Sequence, residues 1–259
     1  MCEFIKTGKQ ILPRPKGIDY DLKPKVVYRL VSKSSFFDKV IYLDELSEIN
    51  TGAMYMSNKD KKLIKRVSNS FDKNITTGVL LSGLKGGGKT MMARQLCAAC
   101  NCPIIVIDPD VSINELSKFF SDSTIPIALI FDEFEKNERL WNSKDLLTFL
   151  DGVLKDNKKL VVFTCNDDSN LNENLFDRCS RIKYFKEYSD LDKETVEYIV
   201  KDRLGDDKLH VVSDFIITYF NVRNYDNVIS FVDEIKSCLD VVTEETMFDL
   251  IEDMNIKLK

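Results

Sequence analysis

The hydrophobic rhythm of the chain changes several times along its length. Residues 1 to about 25 carry Pro13 and Pro15 and show no helical periodicity, which predicts an extended arm. VVYRLV (26–31) and KVIYLDEL (39–46) are rich in β-branched and aromatic residues and flank the polar turn SKSS, so they predict a small hairpin. In NKDKKLIKRVSNSF (58–71), Leu63 and Val67 lie four apart while lysines fill the other face, the spacing of an amphipathic surface helix. From about residue 75 short apolar runs alternate with helical stretches: VLL (79–81), PIIVI (103–107), IPIALIF (125–131), LVVFT (160–164) and IKYF (182–185). Uniformly apolar strands separated by helices predict an α/β domain built on a five-stranded parallel sheet. Beyond about 189 only helical spacing remains, with Val196, Ile199, Val200 and Leu204, then Val228, Phe231, Val232, Ile235 and Leu239. A small all-helical domain is expected there. The expected organisation is an arm and β element over 1–57, an α/β domain over 58–188 and a helical domain over 189–259.

The chemistry begins at Gly83-Leu84-Lys85-Gly86-Gly87-Gly88-Lys89-Thr90, which fits G-x-x-x-x-G-K-[ST]. The motif follows the strand VLLS and precedes a helix whose apolar face is Ala93, Leu96, Cys97 and Cys100, the order that a phosphate-binding loop requires. Glycines allow backbone amides to curl round a phosphate chain at the positive end of a helix. In that arrangement Gly83, Gly86, Gly87 and Gly88 shape the loop, Lys89 neutralises phosphate charge, and Thr90 offers a hydroxyl to Mg²⁺. Three consecutive glycines are a costly choice for a turn with no ligand.

IPIALIF delivers Asp132 and Glu133 at the C-terminal end of a buried strand, where α/β sheets place their ligand chemistry. Asp132 is the expected partner of Thr90 in holding Mg²⁺, and Glu133 the expected general base for an attacking water. Many GTPases and small-molecule kinases lack the second carboxylate, so the pair points to hydrolysis or motor chemistry. The next strand, LVVFT, runs into Cys165 and Asn166, a neutral amide that either sits beside the acid pair or is an ordinary turn residue.

Composition narrows the partners. The chain has 259 residues, 44% of them hydrophobic, enough apolar content for a sizeable core. A count of 37 Lys+Arg against 42 Asp+Glu gives a net charge of −5, which disfavours a broadly basic nucleic-acid coat protein. No run approaches the about 20 apolar residues of a membrane helix, and the first residues lack a secretory apolar stretch. Seven scattered cysteines fit a reducing compartment, so a cytoplasmic protein is expected.

Together these motifs resemble AAA+ ATPases, and in particular the AAA subgroup with its second region of homology, over roughly residues 75–186. The resemblance rests on GLKGGGKT, the strand ending in Asp132-Glu133, the helix LLTFLDGVL (146–154), LVVFTCN ending at Asn166, and NLFDRCSRIKYF (174–185). It implies an ATP- and Mg²⁺-dependent hydrolase that works as a homo-oligomeric ring, plausibly a hexamer, host-cytoplasmic if phage-encoded, on a protein or nucleoprotein client. It implies further that Asn166 is the sensor-1 residue, that Arg178 and Arg181 reach a neighbouring subunit's ATP, and that 190–259 is a lid. The composition, rich in Lys, Asn, Asp and Ile, is similar to that of AAA+ ATPases encoded by bacteriophages.

Other positions depart from that family. Lys118-Phe119-Phe120-Ser121 is either a degenerate pore loop or a helix with both rings in the core, and the core alternative is favoured. Val228 stands where the family often has a sensor-2 arginine, and Arg223 lies just outside. Tyr55 and Met56 precede the lysine-rich helix at about the place where the family contacts adenine. Cys97, Cys100 and Cys102 are expected in the core, and His210 at the surface without a partner. Lys59, Lys61, Lys62, Lys65 and Arg66 are expected on a solvated face interrupted by Asp60, so nucleic acid is possible as a partner but not favoured. Two rival functions remain: a DNA-acting loader-type ATPase, and a nucleotide-gated scaffold with negligible turnover, which would need neither Glu133 nor the arginines.

Overall fold

The computed structural model describes residues 4–7, 9–13, 20–34, 39–52, 55–120, 125–137, 141, 143–152, 158–167, 179 and 181–259. Arg178 therefore lies outside the described residues, as do parts of the expected helix at 146–154 and of the segment 174–185. The chain divides into two compact units. The first comprises Met1–Gly52, Lys61–Ser82 and Thr90–Glu187, and the second Ala53–Asp60, Gly83–Lys89 and Tyr188–Lys259.

Among the described residues nine strands form the sheet: β1 (Phe4–Thr7), β2 (Gln10–Pro13), β3 (Val26–Ser34), β4 (Lys39–Glu48), β5 (Thr77–Gly83), β6 (Ile104–Ile107), β7 (Ile127–Phe131), β8 (Lys159–Cys165) and β9 (Tyr184–Tyr188). Their order is β1-β2-β4-β3-β6-β7-β8-β5-β9. The runs β6-β7, β7-β8 and β8-β5 are parallel. Lys183 N donates to Gly78 O (2.9 Å) and Leu84 N to Tyr188 O (2.9 Å), so β9 advances beside β5 in the same sense. Every residue of β7 and β8 is buried, which explains their largely apolar sequences; Lys159 and Thr164 of β8 are the buried polar members.

The expected five-stranded parallel sheet is thus only part of a nine-stranded one. Val27–Leu30 of β3 pair in parallel with Ile104–Ile107 of β6, and β4, β2 and β1 follow by antiparallel pairing. Without this addition β6 would be an apolar edge open to other chains. Side chains reinforce the join: Tyr28, Leu30 and Leu43 share one core with Ile105, Leu129 and Val161.

The first unit also holds most of α1 (Asn58–Asp72) and α2 (Lys89–Ala99), with α3 (Ile113–Phe120) and α4 (Ser143–Asp151). Ser112 caps α3 reciprocally with Glu115, whose backbone N donates to Ser112 Oγ while its carboxylate accepts from Ser112 N at 2.8 Å. Lys39 of β4 meets the same carboxylate at 2.6 Å. Burial alone would raise the Glu115 pKa, but the bonds from Lys39 and Ser112 outweigh it and hold the group at about 2. Phe119 and Phe120 of α3 are buried, their rings 5.0 Å apart, as members of the core. Cys97, Cys100 and Cys102 are buried too, and among the described residues no cluster of His, Cys, Asp and Glu could hold a metal.

In the second unit α5 (Lys193–Leu204), α6 (Leu209–Tyr219), α7 (Tyr225–Cys238) and α8 (Glu244–Glu252) enclose Val196, Ile199, Phe215, Val228, Phe231 and Met247. Asp192, Asn224 and Thr243 cap α5, α7 and α8 with their side chains, which is why these helices begin where they do. His210 is exposed on α6. Tyr55 is buried in this cluster, its hydroxyl donating to Asp202 Oδ2 (2.6 Å) and accepting from Arg203 Nε (3.0 Å). Arg223 is likewise engaged inside the unit, with Asp190 and the Ile217 carbonyl. Among the described residues no helix is long and apolar enough to cross a membrane.

Candidate functional site: a phosphate loop and an acid cluster

The loop after β5 is shaped by its glycines. Gly83, Gly86 and Gly88 have φ of 118°, 69° and 90°, a region that side chains disfavour. A methyl group on Gly83 would also lie 2.0 Å from Tyr188 O, so the loop can pass this point only without a side chain. Gly87 N donates to Leu84 O (3.1 Å), while among the described residues the amides of Gly86 and Gly88 meet no protein acceptor. Free amides of this kind beside a helix start suit an anion. Lys89 is 7% exposed, and its ammonium donates to Gly83 O (2.6 Å) and Leu84 O (2.7 Å), which holds the charge inside the loop.

The start of α7 braces the same loop. Asn224 Nδ2 donates to Lys85 O (2.9 Å) and Tyr225 N to Gly86 O (3.0 Å). A methyl group on Gly86 would lie 2.6 Å from Asp226 Oδ2, so a carboxylate rests against the glycine run. Sequence reasoning missed Asn224 and Asp226 in this role, since nothing local to them shows what they touch.

The acid cluster belongs to the first unit. Asp132 follows β7 directly, and its Oδ1 accepts from Thr90 Oγ1 at 3.1 Å and from Thr164 Oγ1 at 2.5 Å. Thr164 Oγ1 in turn accepts from Glu133 N at 2.9 Å, so one buried hydroxyl fixes both acidic residues. Glu133 has φ 49°, a left-handed backbone that costs about 1 kcal/mol or more for a side chain of its kind. The turn is held by Phe134, whose ring stacks on Trp141 at 5.4 Å and meets Phe163 edge-on at 5.3 Å.

Asn166 closes the cluster. Its Nδ2 donates to Glu133 Oε1 (3.3 Å) and Glu135 Oε1 (2.7 Å), and its backbone N also donates to Glu135 Oε1 (3.0 Å). Glu133 Oε2 is paired with Lys136, and that bond raises the Lys136 ammonium above the ordinary lysine range. The structure therefore brings together Thr90, Asp132, Glu133 and Asn166, as the sequence suggested, and adds Thr164, Glu135 and Lys136. Thr164 was findable, since it lies two positions before Asn166 and so on the same strand face. Arg181 sits elsewhere: its Nε and Nη2 donate to Asp151 at 3.0 and 2.6 Å, a bidentate clamp within its own chain.

A threonine hydroxyl and a carboxylate converging within hydrogen-bond distance are hard oxygen donors, which suit Mg²⁺ rather than a soft metal. The oxygen pair suits the cation of a nucleoside triphosphate, and, within the second unit, the free amides and buried lysine suit phosphate.

Residues 79–187 match the family model described as ATPase family associated with various cellular activities (AAA). This segment is similar to that family's domain. It runs from within β5 to the last strand and contains the phosphate loop and the whole acid cluster. In fold the chain is similar to Thermotoga maritima RuvB, a Holliday junction branch migration motor, with a TM-score of 0.59 and 16% identity over 77% of this chain and 70% of that one. A single-site mutant of the same RuvB gives 0.59 and 15% over 78% and 71%. No curated protein sequence matches the chain.

Proposed function

We propose that this protein is an ATP- and Mg²⁺-dependent hydrolase of the AAA+ type, acting as an oligomeric ring that remodels a protein or nucleoprotein client. The observation that carries the reading is the bond between Thr90 and Asp132: the hydroxyl directly after the loop lysine meets the carboxylate at the end of β7. Mg-ATP, when bound, supplies the transferable phosphoryl group and the cation that screens its charge. Gly86 and Gly88 would donate their amides to phosphate oxygens, Lys89 would leave the loop carbonyls to neutralise them, and Thr90 and Asp132 would hold the cation. Glu133 is the general base: a carboxylate oxygen accepts the proton of the attacking water. Asn166 and Thr164 fix its position. Because Lys136 is paired with Glu133, that carboxylate must exchange partners before it can take a proton.

The helices of residues 189–259 serve as the lid, and Asn224 and Tyr225 are the groups through which this unit senses the loop. Of the two arginines expected to act in trans, Arg178 is assigned that role and Arg181 anchors α4. A scaffold without turnover would need neither a fixed Glu133 nor an Asn bonded to it.

The test is Glu133→Gln. It is expected to bind ATP as the wild type does, to hydrolyse it at least about a thousandfold more slowly, and to form a ring-sized species with Mg-ATP but not with ADP in sedimentation. Undiminished hydrolysis would remove Glu133 from the mechanism. A monomer in both nucleotides would remove the ring. Arg178→Ala should keep binding and lose turnover.

A further inference from the structure

We propose that the outer face of α1, continued by Lys183 just before β9, binds the phosphate backbone of nucleic acid. At about 100° per residue, Lys61, Lys62, Lys65 and Arg66 fall on one side of the helix, with Lys61 above Lys65 and Lys62 above Arg66. All four are exposed, as is Lys73 just past the helix end. Among the described residues none of these five cations has an ion-pair partner, although acidic residues outnumber basic ones in this chain. Cations elsewhere do find partners: Lys39 meets Glu115, Lys193 meets Asp214, and Lys201 meets Asp206.

Asp60, which interrupts the basic run in the sequence, does not interrupt it in space. It is 3% exposed, and its carboxylate accepts from Ser57 N (3.0 Å) and Ser57 Oγ (2.6 Å) in the cap that starts α1. Lys183 extends the row, its ammonium donating to Ser70 Oγ in the last turn of α1 at 3.2 Å. Like charges four residues apart destabilise a helix, and this helix stacks two such pairs. A line of phosphates turns that repulsion into attraction, with release of condensed counterions. An anionic membrane fits less well, because Val67 and Phe71, the apolar groups that could enter lipid, are buried in the protein. None of these cations belongs to the phosphate loop or the acid cluster, so the proposal does not depend on the ATPase reading.

The experiment is fluorescence anisotropy of a labelled DNA duplex and of the corresponding single strand with the full chain, between about 50 and about 200 mM salt. The wild type should bind at least one of them, with log K falling linearly against log salt. The combined change Lys61→Gln, Lys62→Gln, Lys65→Gln and Arg66→Gln should weaken binding at least about tenfold at low salt and flatten the slope by about 3 to 4. ATP binding should be unaltered in that variant, and failure of ATP binding in the wild type would overturn the ATPase reading alone. Asp72→Asn, which removes the acid of the same face, should tighten binding and serves as a second test if the quadruple variant does not fold. Equal binding by wild type and folded quadruple variant would overturn the proposal, as would Asp72→Asn without effect. Binding of phosphatidylserine vesicles with no binding to either nucleic acid would overturn it too.

Discussion

The phosphate loop and the acid cluster are built in opposite ways. In the loop the backbone does the binding: among the described residues the amides of Gly86 and Gly88 meet no protein acceptor, and the Lys89 ammonium rests on two loop carbonyls. In the acid cluster every functional side chain is already committed to another, Asp132 to Thr90 and Thr164, Glu133 to Lys136 and Asn166, Asn166 to Glu135. Open amides bind without rearrangement and Lys89 has only two loop carbonyls to leave, whereas the whole closed network must exchange partners to act. Changes in the loop should therefore appear in affinity, and changes in the cluster in turnover. The largest effect is expected at Lys89. Lys89→Ala removes a buried charge-assisted donor, costing about 3 kcal/mol or more and weakening ATP binding about a hundredfold or more. Calorimetric titration with Mg-ATP measures it, and an affinity within about threefold of wild type would end the division of labour.

The same contrast explains what could be read from the sequence. The loop was legible because its chemistry is backbone chemistry, and glycines written as Gly86-Gly87-Gly88 announce a conformation that side chains cannot adopt. The parallel strands were legible because both of their faces are buried. The join of β3 to β6 was not, since a parallel pairing between distant segments leaves no local signal; the sequence showed two good strands and a turn, and nothing about which edge they would cover. Glu135 and Lys136 look like surface charges until the turn at Glu133 folds them back towards Asn166 and Glu133. Arg181 followed the spacing of a trans arginine, but its partner Asp151 lies at the end of α4, too far along the chain for spacing to connect them. Asp60 likewise looked like an interruption of a basic face and proved to be its cap.

Thr164 sharpens the comparison from the other side. Thr164→Val preserves the shape of a buried residue on β8 but removes the donor to Asp132 Oδ1 and the acceptor for Glu133 N. A buried amide left without its partner costs about 2 kcal/mol, which corresponds to about thirtyfold in hydrolysis if it falls on the reacting geometry. Nucleotide affinity should move by less than about threefold, because the loop is untouched. Steady-state hydrolysis beside equilibrium binding separates the two. A variant that loses affinity in proportion to rate would show that the acid cluster is a binding device as much as a catalytic one.

The smallest expected effect lies where the loop meets α7. Asp226 places a carboxylate against Gly86, on a loop that offers its amides to an anion. Two contributions oppose each other at this residue. A carboxylate in the first turn of α7 is favourable for the helix dipole, and the same charge repels phosphate brought to the loop. Asp226 is exposed, so solvent and salt weaken both, and neither is large. Asp226→Asn keeps the size of the side chain and removes the charge. It should lower the melting temperature slightly and tighten ATP binding about threefold to tenfold at low salt, with the gain shrinking as salt rises through about 0.15 M. Gly86→Ala would not make the same point, since it adds a clash at a positive φ. If Asp226→Asn binds ATP no better than wild type at low salt, the carboxylate acts only on its own helix, and the brace supplied by Asn224 and Tyr225 is the sole means by which the helical unit influences the loop.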